Sequence, residues 1–433
     1  MRYYITDRTD PIAMAYRNIY NTLFVNLDEE IPEDISKHFI YPEFLYNVQS
    51  EVLKVYHNVK PDVLYRSDDL WDFVKYNNLN TTKSSGTYLE PYYTMVKGEN
   101  NENFYKALEL HADMMIDPVI PDYEMGAPFD VNDKKVTDKR ERHVVIEEIR
   151  MRKDQPWTKV YNATNKAMYT SHPYKRDVIG TPEIISQVSQ EEIMNYYRTF
   201  YSPENVTTII VGDFNSEDIL KRVEEGFDWG ERPRPPIRDI LPDRPVAETV
   251  YIENKANINS SFMMFGFLGA PAKDLKNLIA LEMLAIILGE GASSRLYNNL
   301  IENQKEHIFN MIDAENYSFR DGCNFFVQAN FEPKFKEKAI ELVKEELEKV
   351  KTDITDRELN KAKKKLKSRF ACEAETVSDI GEAIGYYMTV CDELELAENY
   401  MPTCDSMTKE YLQEAAKKYL DINHAVISVL MPQ

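Results

Sequence analysis

The chain has 433 residues, more than one ordinary hydrophobic core accommodates, so its length predicts two domains of about 200 residues each. Hydrophobic residues make up 43% of it and 28 positions are tyrosine, enough to build sizeable interiors. An excess of 73 acidic over 52 basic residues leaves a formal charge of −21, which argues against nucleic acid and anionic membranes as partners and is compatible with basic or unfolded peptides.

Residues 1–40 carry little pattern beyond a strand-like 21–27 and an acidic turn around Pro32. Asp7, Arg8, Asp10 and Arg17 interrupt any signal-peptide apolar core, and no apolar run approaches the roughly 18 residues of a membrane span. Cys323, Cys372, Cys391 and Cys404 show no Cys-x-x-Cys spacing and read as reduced, mostly buried thiols, so the expectation is a soluble cytoplasmic protein. Leu45, Val48, Val52, Val55 and Tyr56 predict a helix over 44–59, and a second follows over 68–75. The polar segment 80–87 then leads into a strand at 92–96. Residues 102–116 form an amphipathic helix with Phe104, Leu108, His111 and Met115 on one stripe, which makes His111 a hydrogen-bonded core histidine. Residues 118–138 hold Pro118, Pro121, Gly126 and Pro128 and read as a surface loop.

From Glu141 the sequence runs Glu-Arg-His-Val-Val-Ile-Glu-Glu-Ile. Val145, Ile149 and Arg152 fall three to four apart, predicting a helix with Glu141 and Glu148 two turns apart on one side. Two carboxylates so placed either share a cation or a proton, or form a solvated acidic face. Asp154-Gln155-Pro156, His172-Pro173-Tyr174 and Gly180 follow, then a helix containing Tyr196, Tyr197 and Phe200, and a strand that closes on Gly212-Asp213. Five prolines between positions 233 and 245 mark an extended connector over 231–246.

The second half opens with strands at 249–252 and 260–267. The nearly all-apolar helix 278–288 must be buried on every side. Gly289-Glu290-Gly291-Ala292-Ser293-Ser294-Arg295-Leu296-Tyr297 comes next; no Gly-Lys-Ser/Thr follows these glycines, so they form no phosphate loop. Strands at 309–316 and 325–331 precede helices at 334–350 and 355–373, the latter opened by Thr355 and Glu358 at capping-box spacing. Lys361, Lys363, Lys364, Lys365, Lys367 and Arg369 wrap that last helix and leave Leu366 and Phe370 to the core. This is a solvated face or a contact with an acidic partner. Ser189-Gln190-Glu191-Glu192-Ile193, with its helix and terminal strand, recurs 219 residues later as Thr408-Lys409-Glu410-Tyr411-Leu412 with the same sequel. A helix-to-strand ending in each half predicts duplicated lobes at 1–230 and 247–433.

The order of these elements resembles the pitrilysin/insulinase family of zinc metallopeptidases, the inverzincins, whose zinc helix carries His-x-x-Glu-His. The likeness rests on Glu141-Arg142 with Glu148, on His172-Pro173-Tyr174 and Gly180, on the helix before Val211-Gly212-Asp213, and on 289–297, and it runs from about Leu70 onward. It implies an α+β fold of two similar lobes facing as a clam shell. Each lobe would be a sandwich of antiparallel-rich sheet with helices on one face, joined by the Pro-rich linker. It also implies Glu148 at the third zinc-ligand position. Yet neither His-x-x-Glu-His nor His-Glu-x-x-His occurs among the seven histidines. Counted back from Tyr92-Tyr93, the motif positions fall on Glu43, Tyr46 as general base and Asn47. Asn is a poor zinc ligand, and a tyrosine of ordinary pKa about 10 is no base near neutrality. In the second lobe the family's Arg and Tyr, which hold substrate backbone and oxyanion, fall on Ile301 and Ile308, with His307 adjacent.

The resemblance therefore implies a non-catalytic subunit with Glu148 as a vestigial ligand position and no cofactor. It would pair with an active zinc peptidase subunit, or with itself, and offer Asn80, Thr82, Ser84 and Ser85 to a bound peptide. Two alternatives stay open. One is an active zinc metalloendopeptidase using Glu148, Glu43 and a histidine; the other is a purely structural scaffold subunit.

Overall fold

The computed structural model describes residues 2–6, 80–83, 92–95, 102–133, 140–236, 240, 242–372 and 376–433. Glu43, Tyr46, Asn47, Ser84, Ser85 and the helices expected over 44–59 and 68–75 lie outside them. In chain order the labelled elements begin with β1 (Arg2–Thr6), β2 (Asn80–Lys83), β3 (Tyr92–Met95), α1 (Glu102–Ile116) and α2 (Glu141–Asp154). There follow α3 (Pro156–Met168), α4 (Pro182–Gln187), α5 (Gln190–Phe200), β4 (Thr207–Val211) and α6 (Ser216–Gly226). Next come β5 (Val250–Ala256), β6 (Ser261–Leu268), α7 (Leu275–Leu288), β7 (Phe309–Phe319) and β8 (Gly322–Phe331). The chain closes with α8 (Lys336–Lys349), α9 (Asp356–Cys372), α10 (Val377–Gly385), α11 (Glu395–Ser406), α12 (Lys409–Tyr419) and β9 (Val426–Pro432).

The chain divides into two compact units, one of residues 1–145, 182–237 and 373–385, the other of 146–181, 238–372 and 386–433. In the first, β1 runs parallel to β4, and β2 pairs antiparallel with β3, setting Asn80 opposite Met95 and Thr82 opposite Tyr93. Its core gathers Ala112 of α1, Ile210 of β4, and Ile219 and Val223 of α6 around Phe227 and Trp229. Phe104, Leu108 and Met115 pack against this cluster as their stripe predicts, and burial holds the His111 imidazole below its usual range.

The second unit is built on one mixed sheet of order β5-β9-β6-β8-β7. Only the β5–β9 pair is parallel. Central β6 reads Ser-Phe-Met-Met-Phe-Gly-Phe-Leu, apolar on both faces as a doubly covered strand must be. Helix α7, buried all round, covers one face: a Cβ on Gly269 would meet Leu281 and Cys323. Helix α3 covers the other. It crosses β6 at Gly266, where an added Cβ would stand 2.5 Å from both Thr164 Cγ2 and Met168 Sδ. The expectation of helices on one face is corrected here, because the missing side chain at Gly266 opens a seat for a second layer. Helix α3 itself carries its own signals in Pro156 at N1 and in Val160, Thr164 and Met168 at helical spacing.

The docking of α3 assigns residues 146–181 to the second unit, and the contact of α10 with β4 assigns 373–385 to the first. The division therefore does not follow the expected single connector at 231–246: the chain passes between the units at several points. The helix-to-strand endings expected in each half are both present. Ser189 caps α5 with a reciprocal Glu192 bond and Thr408 caps α12. Each ending strand pairs parallel with an earlier strand of its unit. Cys323, Cys391 and Cys404 are buried free thiols and Cys372 is exposed. No helix of the described residues is long and apolar enough to cross a membrane.

Candidate functional site

Glu148 lies on the outer side of α2. The helix turns Arg142, Ile146 and Ile149 inward, one turn after another, and leaves Glu141, Glu147 and Glu148 exposed. The helix expected from the spacing of Val145, Ile149 and Arg152 is present, and an arginine, Arg142, stands among its inward residues. The Arg142 guanidinium donates to the carbonyls of Gly126 at 3.3 Å, Val188 at 2.8 Å and Ile185. Three acceptors satisfy enough of its donors to make burial tolerable. Glu147 pairs with Arg150.

A zinc ion needs three protein ligands, and the described residues bring no three His, Cys, Asp or Glu side chains together. Glu148 therefore has no donor set that fits the metal among them. Their histidines have other surroundings. His143 stacks on Phe129 with ring centres 4.0 Å apart, His424 Nδ1 lies 2.8 Å from the Val246 carbonyl, and His307 is exposed.

His172-Pro173-Tyr174 is a structural joint. The buried His172 accepts at Nδ1 from the Tyr174 N–H at 3.3 Å, and its Nε2 stands 3.6 Å from an Asp321 carboxylate oxygen. The Tyr174 hydroxyl accepts from the Asp321 N–H at 3.2 Å. Beneath, Tyr169 donates to Asn324 Oδ1 at 2.6 Å, Asn324 donates to Asn165 Oδ1 at 2.9 Å, and Asn165 donates to the Tyr174 carbonyl. Burial raises the Tyr169 and Tyr174 hydroxyls well above the ordinary tyrosine range, so both stay protonated. This amide–phenol chain has no sequence signature beyond polar residues at inward positions of α3.

The 289–297 signature is equally structural. Gly289 ends α7 against the backbone of β7, and Gly291 takes the left-handed φ of 80°. Arg295 grips Glu358 through two bonds, of 2.5 and 2.8 Å, and also holds the side chain and carbonyl of Asp353. Desolvation alone would lower the Arg295 pKa, but its two carboxylate partners raise it instead. Glu358 at the same time accepts from the Thr355 N–H at 2.8 Å, which completes the capping box expected for α9. The signature thus pins the start of that helix. Ile308 is buried and Ile301 half-buried, so neither offers a donor, and His307 points to solvent. The basic run on α9 pairs within the unit: Lys365 and Arg369 bind Glu290, Lys367 binds Asp405, and Lys363 donates to the Asp405 carbonyl.

Comparison with known proteins divides the chain in two. Residues 187–366 match the family model described as the peptidase M16 inactive domain, and residues 1–113 match that of an uncharacterised protein family, UPF0182. The zinc protease PqqE of Helicobacter pylori is 27% identical over 296 residues, 66% of this chain and 65% of that protein. A UPF0182 protein of Caldicellulosiruptor saccharolyticus is 45% identical over 97 residues, 22% of this chain and 10% of the other. The chain thus spans about two-thirds of the former's length and a tenth of the latter's. A crystal structure of a protease from Helicobacter pylori shares the fold at TM-score 0.71, with 23% identity, covering 83% of this chain and 84% of that one. Glu43, Tyr46 and Asn47 fall inside the stretch matched by UPF0182, so the M16 match does not carry their assignment as zinc-helix positions. With a matched domain, zinc-protease relatives and a shared fold, the chain is similar to the pitrilysin/insulinase (M16) family through residues 187–366, while its first 113 residues are matched by a second family.

Proposed function

We propose that this chain is a non-catalytic pitrilysin/insulinase subunit that pairs with an active zinc peptidase subunit and helps enclose its peptide chamber. The observation that carries the reading is a missing donor set. The chain holds no His-x-x-Glu-His, Glu148 lacks companion ligands among the described residues, and Ile301 and Ile308 stand where peptide-holding donors are expected. The match of 187–366 to an inactive domain supports it. The partner would carry the zinc helix and the general base; this chain would contribute surface, with its net charge of −21 favouring basic peptides.

The test is co-expression with an M16 protein of the same genome that retains His-x-x-Glu-His, followed by size exclusion and cleavage of a basic fluorogenic peptide. Co-elution with raised cleavage is expected. Stoichiometric zinc and cleavage by the purified chain alone, both lost on Glu148→Gln, would instead establish the active-peptidase alternative.

One observation favours a second reading. The UPF0182 match to residues 1–113 occupies the part of the chain where the resemblance places the zinc helix. On that reading the helix was replaced as a block, not worn away residue by residue. Transcript reads across the codons around residue 113 decide it: continuous reads support a fused gene, and their absence removes this reading.

A further inference from the structure

Asp243 stands in the connector between Pro242 and Pro245. Prolines lack an N–H and fix φ, so this stretch cannot be held by a backbone ladder of its own and needs a side chain to fasten it. The Asp243 carboxylate lies at the exit of α3. One oxygen accepts from the N–H groups of Thr170 at 3.1 Å and Ser171 at 3.2 Å, from the Ser171 hydroxyl at 3.2 Å, and from the Thr170 hydroxyl. The other accepts from the N–H of Ser171 at 3.2 Å and of His172 at 2.6 Å. Three successive amides converging on one anion form a nest, here filled by a carboxylate of the same chain. Desolvation pushes the Asp243 carboxyl up, but the Thr170 hydroxyl and the three amides overcome it and hold the group at about 2.

The loop so gripped is also the one that reaches the β7–β8 turn. His172, whose N–H is held by Asp243, accepts at Nδ1 from Tyr174, and the Tyr174 hydroxyl takes the Asp321 N–H at 3.2 Å. The other ring nitrogen of His172, Nε2, stands 3.6 Å from the Asp321 carboxylate. Connector, loop and turn are therefore linked in series by polar contacts, all within the second unit.

We propose that Asp243 is a strap: it fastens the proline-rich connector across the end of α3 and, through His172 and Tyr174, holds the β7–β8 turn at Asp321. Helix α3 and the sheet need nothing from it, so its loss loosens the loop and the turn while the core stays intact. The inference does not depend on the peptidase-subunit reading.

Hydrogen–deuterium exchange of the full chain, wild type against Asp243→Ala and Asp243→Asn, tests it. Peptides covering 169–175 and 318–324 report the loop and the turn, and a peptide within 278–288 serves as reference. Removal of charge-assisted bonds predicts exchange faster by about tenfold or more at residues 170–172 in Asp243→Ala, with a smaller rise at Asp321 and none in the reference. Asp243→Asn keeps one acceptor oxygen and turns an NH₂ toward the donors, so it falls between wild type and alanine. Unchanged exchange at 170–172 in a folded variant would overturn the strap. If only the asparagine variant folds, the same criterion applies to it. Acceleration at 170–172 without any change at Asp321 would overturn the extension to the turn.

Discussion

Gly289→Ala probes how tightly α7 is set against β7. Gly289 has φ −121° and ψ −22°, outside the left-handed region that favours glycine, so the dominant effect is steric. An added Cβ would stand 2.7 Å from both Ala314 Cα and the Asp313 carbonyl carbon, and closer still to the Ala314 nitrogen. Carbon–carbon contacts settle near 3.5–4.0 Å, so the helix end or the strand must move by about 1 Å. Neither moves easily: α7 is buried all round, and β7 is bonded along its length to β8. Overpacking costs about 1–3 kcal/mol, and with rigid backbone on both sides we expect about 3 kcal/mol. Urea unfolding measures it, with the second unit followed by a probe placed in α7 and the midpoint expected to fall by about 1 M. Two glycines serve as controls. Gly226→Ala, in the first unit and followed by a probe placed in α6, meets only the Ala112 Cβ at 3.6 Å inside a helix end and should be neutral or stabilising by up to about 1 kcal/mol. Gly291→Ala has space but a φ of 80°, and should cost about 1 kcal/mol. The reasoning fails if Gly289→Ala loses no more than Gly291→Ala.

Arg295→Lys keeps the charge but loses the two-pronged grip on Glu358 and the reach to Asp353. It should destabilise by about 2–3 kcal/mol and fray the start of α9, read by unfolding and by amide exchange at 355–360. Tyr169→Phe strands the buried Asn324 carbonyl oxygen and should cost about 1–3 kcal/mol in the same assay. Burial, aided by Glu315 and opposed by Gln328, raises the Asp313 carboxyl to about 6 against an ordinary 3.8. The native state therefore binds that proton more tightly than the unfolded chain, so the contribution is full below pH 4 and lost as pH rises through 6. Asp313→Asn should raise the melting temperature at pH 7, by the equivalent of about 1–2 kcal/mol after allowance for solvent screening, and leave it unchanged at pH 4. Glu148→Gln should leave the metal content of the purified chain unaltered, as measured by elemental analysis after dialysis against zinc.

Local signals told most about the second half. The apolar run of α7, the Thr355–Glu358 box and the strands of the sheet follow from short-range chemistry, and all are present. No helix was expected over 156–168, although Pro156 at N1 and the apolar spacing signal one, and where it docks has no local signal at all. That depends on Gly266, about a hundred residues away, leaving room for Thr164 and Met168. Helix α2 follows from its spacing, but the burial of Arg142 does not: carbonyls of Gly126, Ile185 and Val188 converge to receive its guanidinium.

The sequence by itself determined the family likeness, the absence of a zinc-helix motif, the starts of α5, α9 and α12 and the acidic character of the chain. These depend on residue identity and spacing along a few turns. Only the tertiary structure decided that His172, Arg295 and Asp243 are joints, that Glu148 stands apart on an outer helix face, and that residues 146–181 pack with the second half. The role of a polar group is set by which donors and acceptors fold against it, and those partners lie tens to hundreds of residues away, beyond the reach of any local pattern.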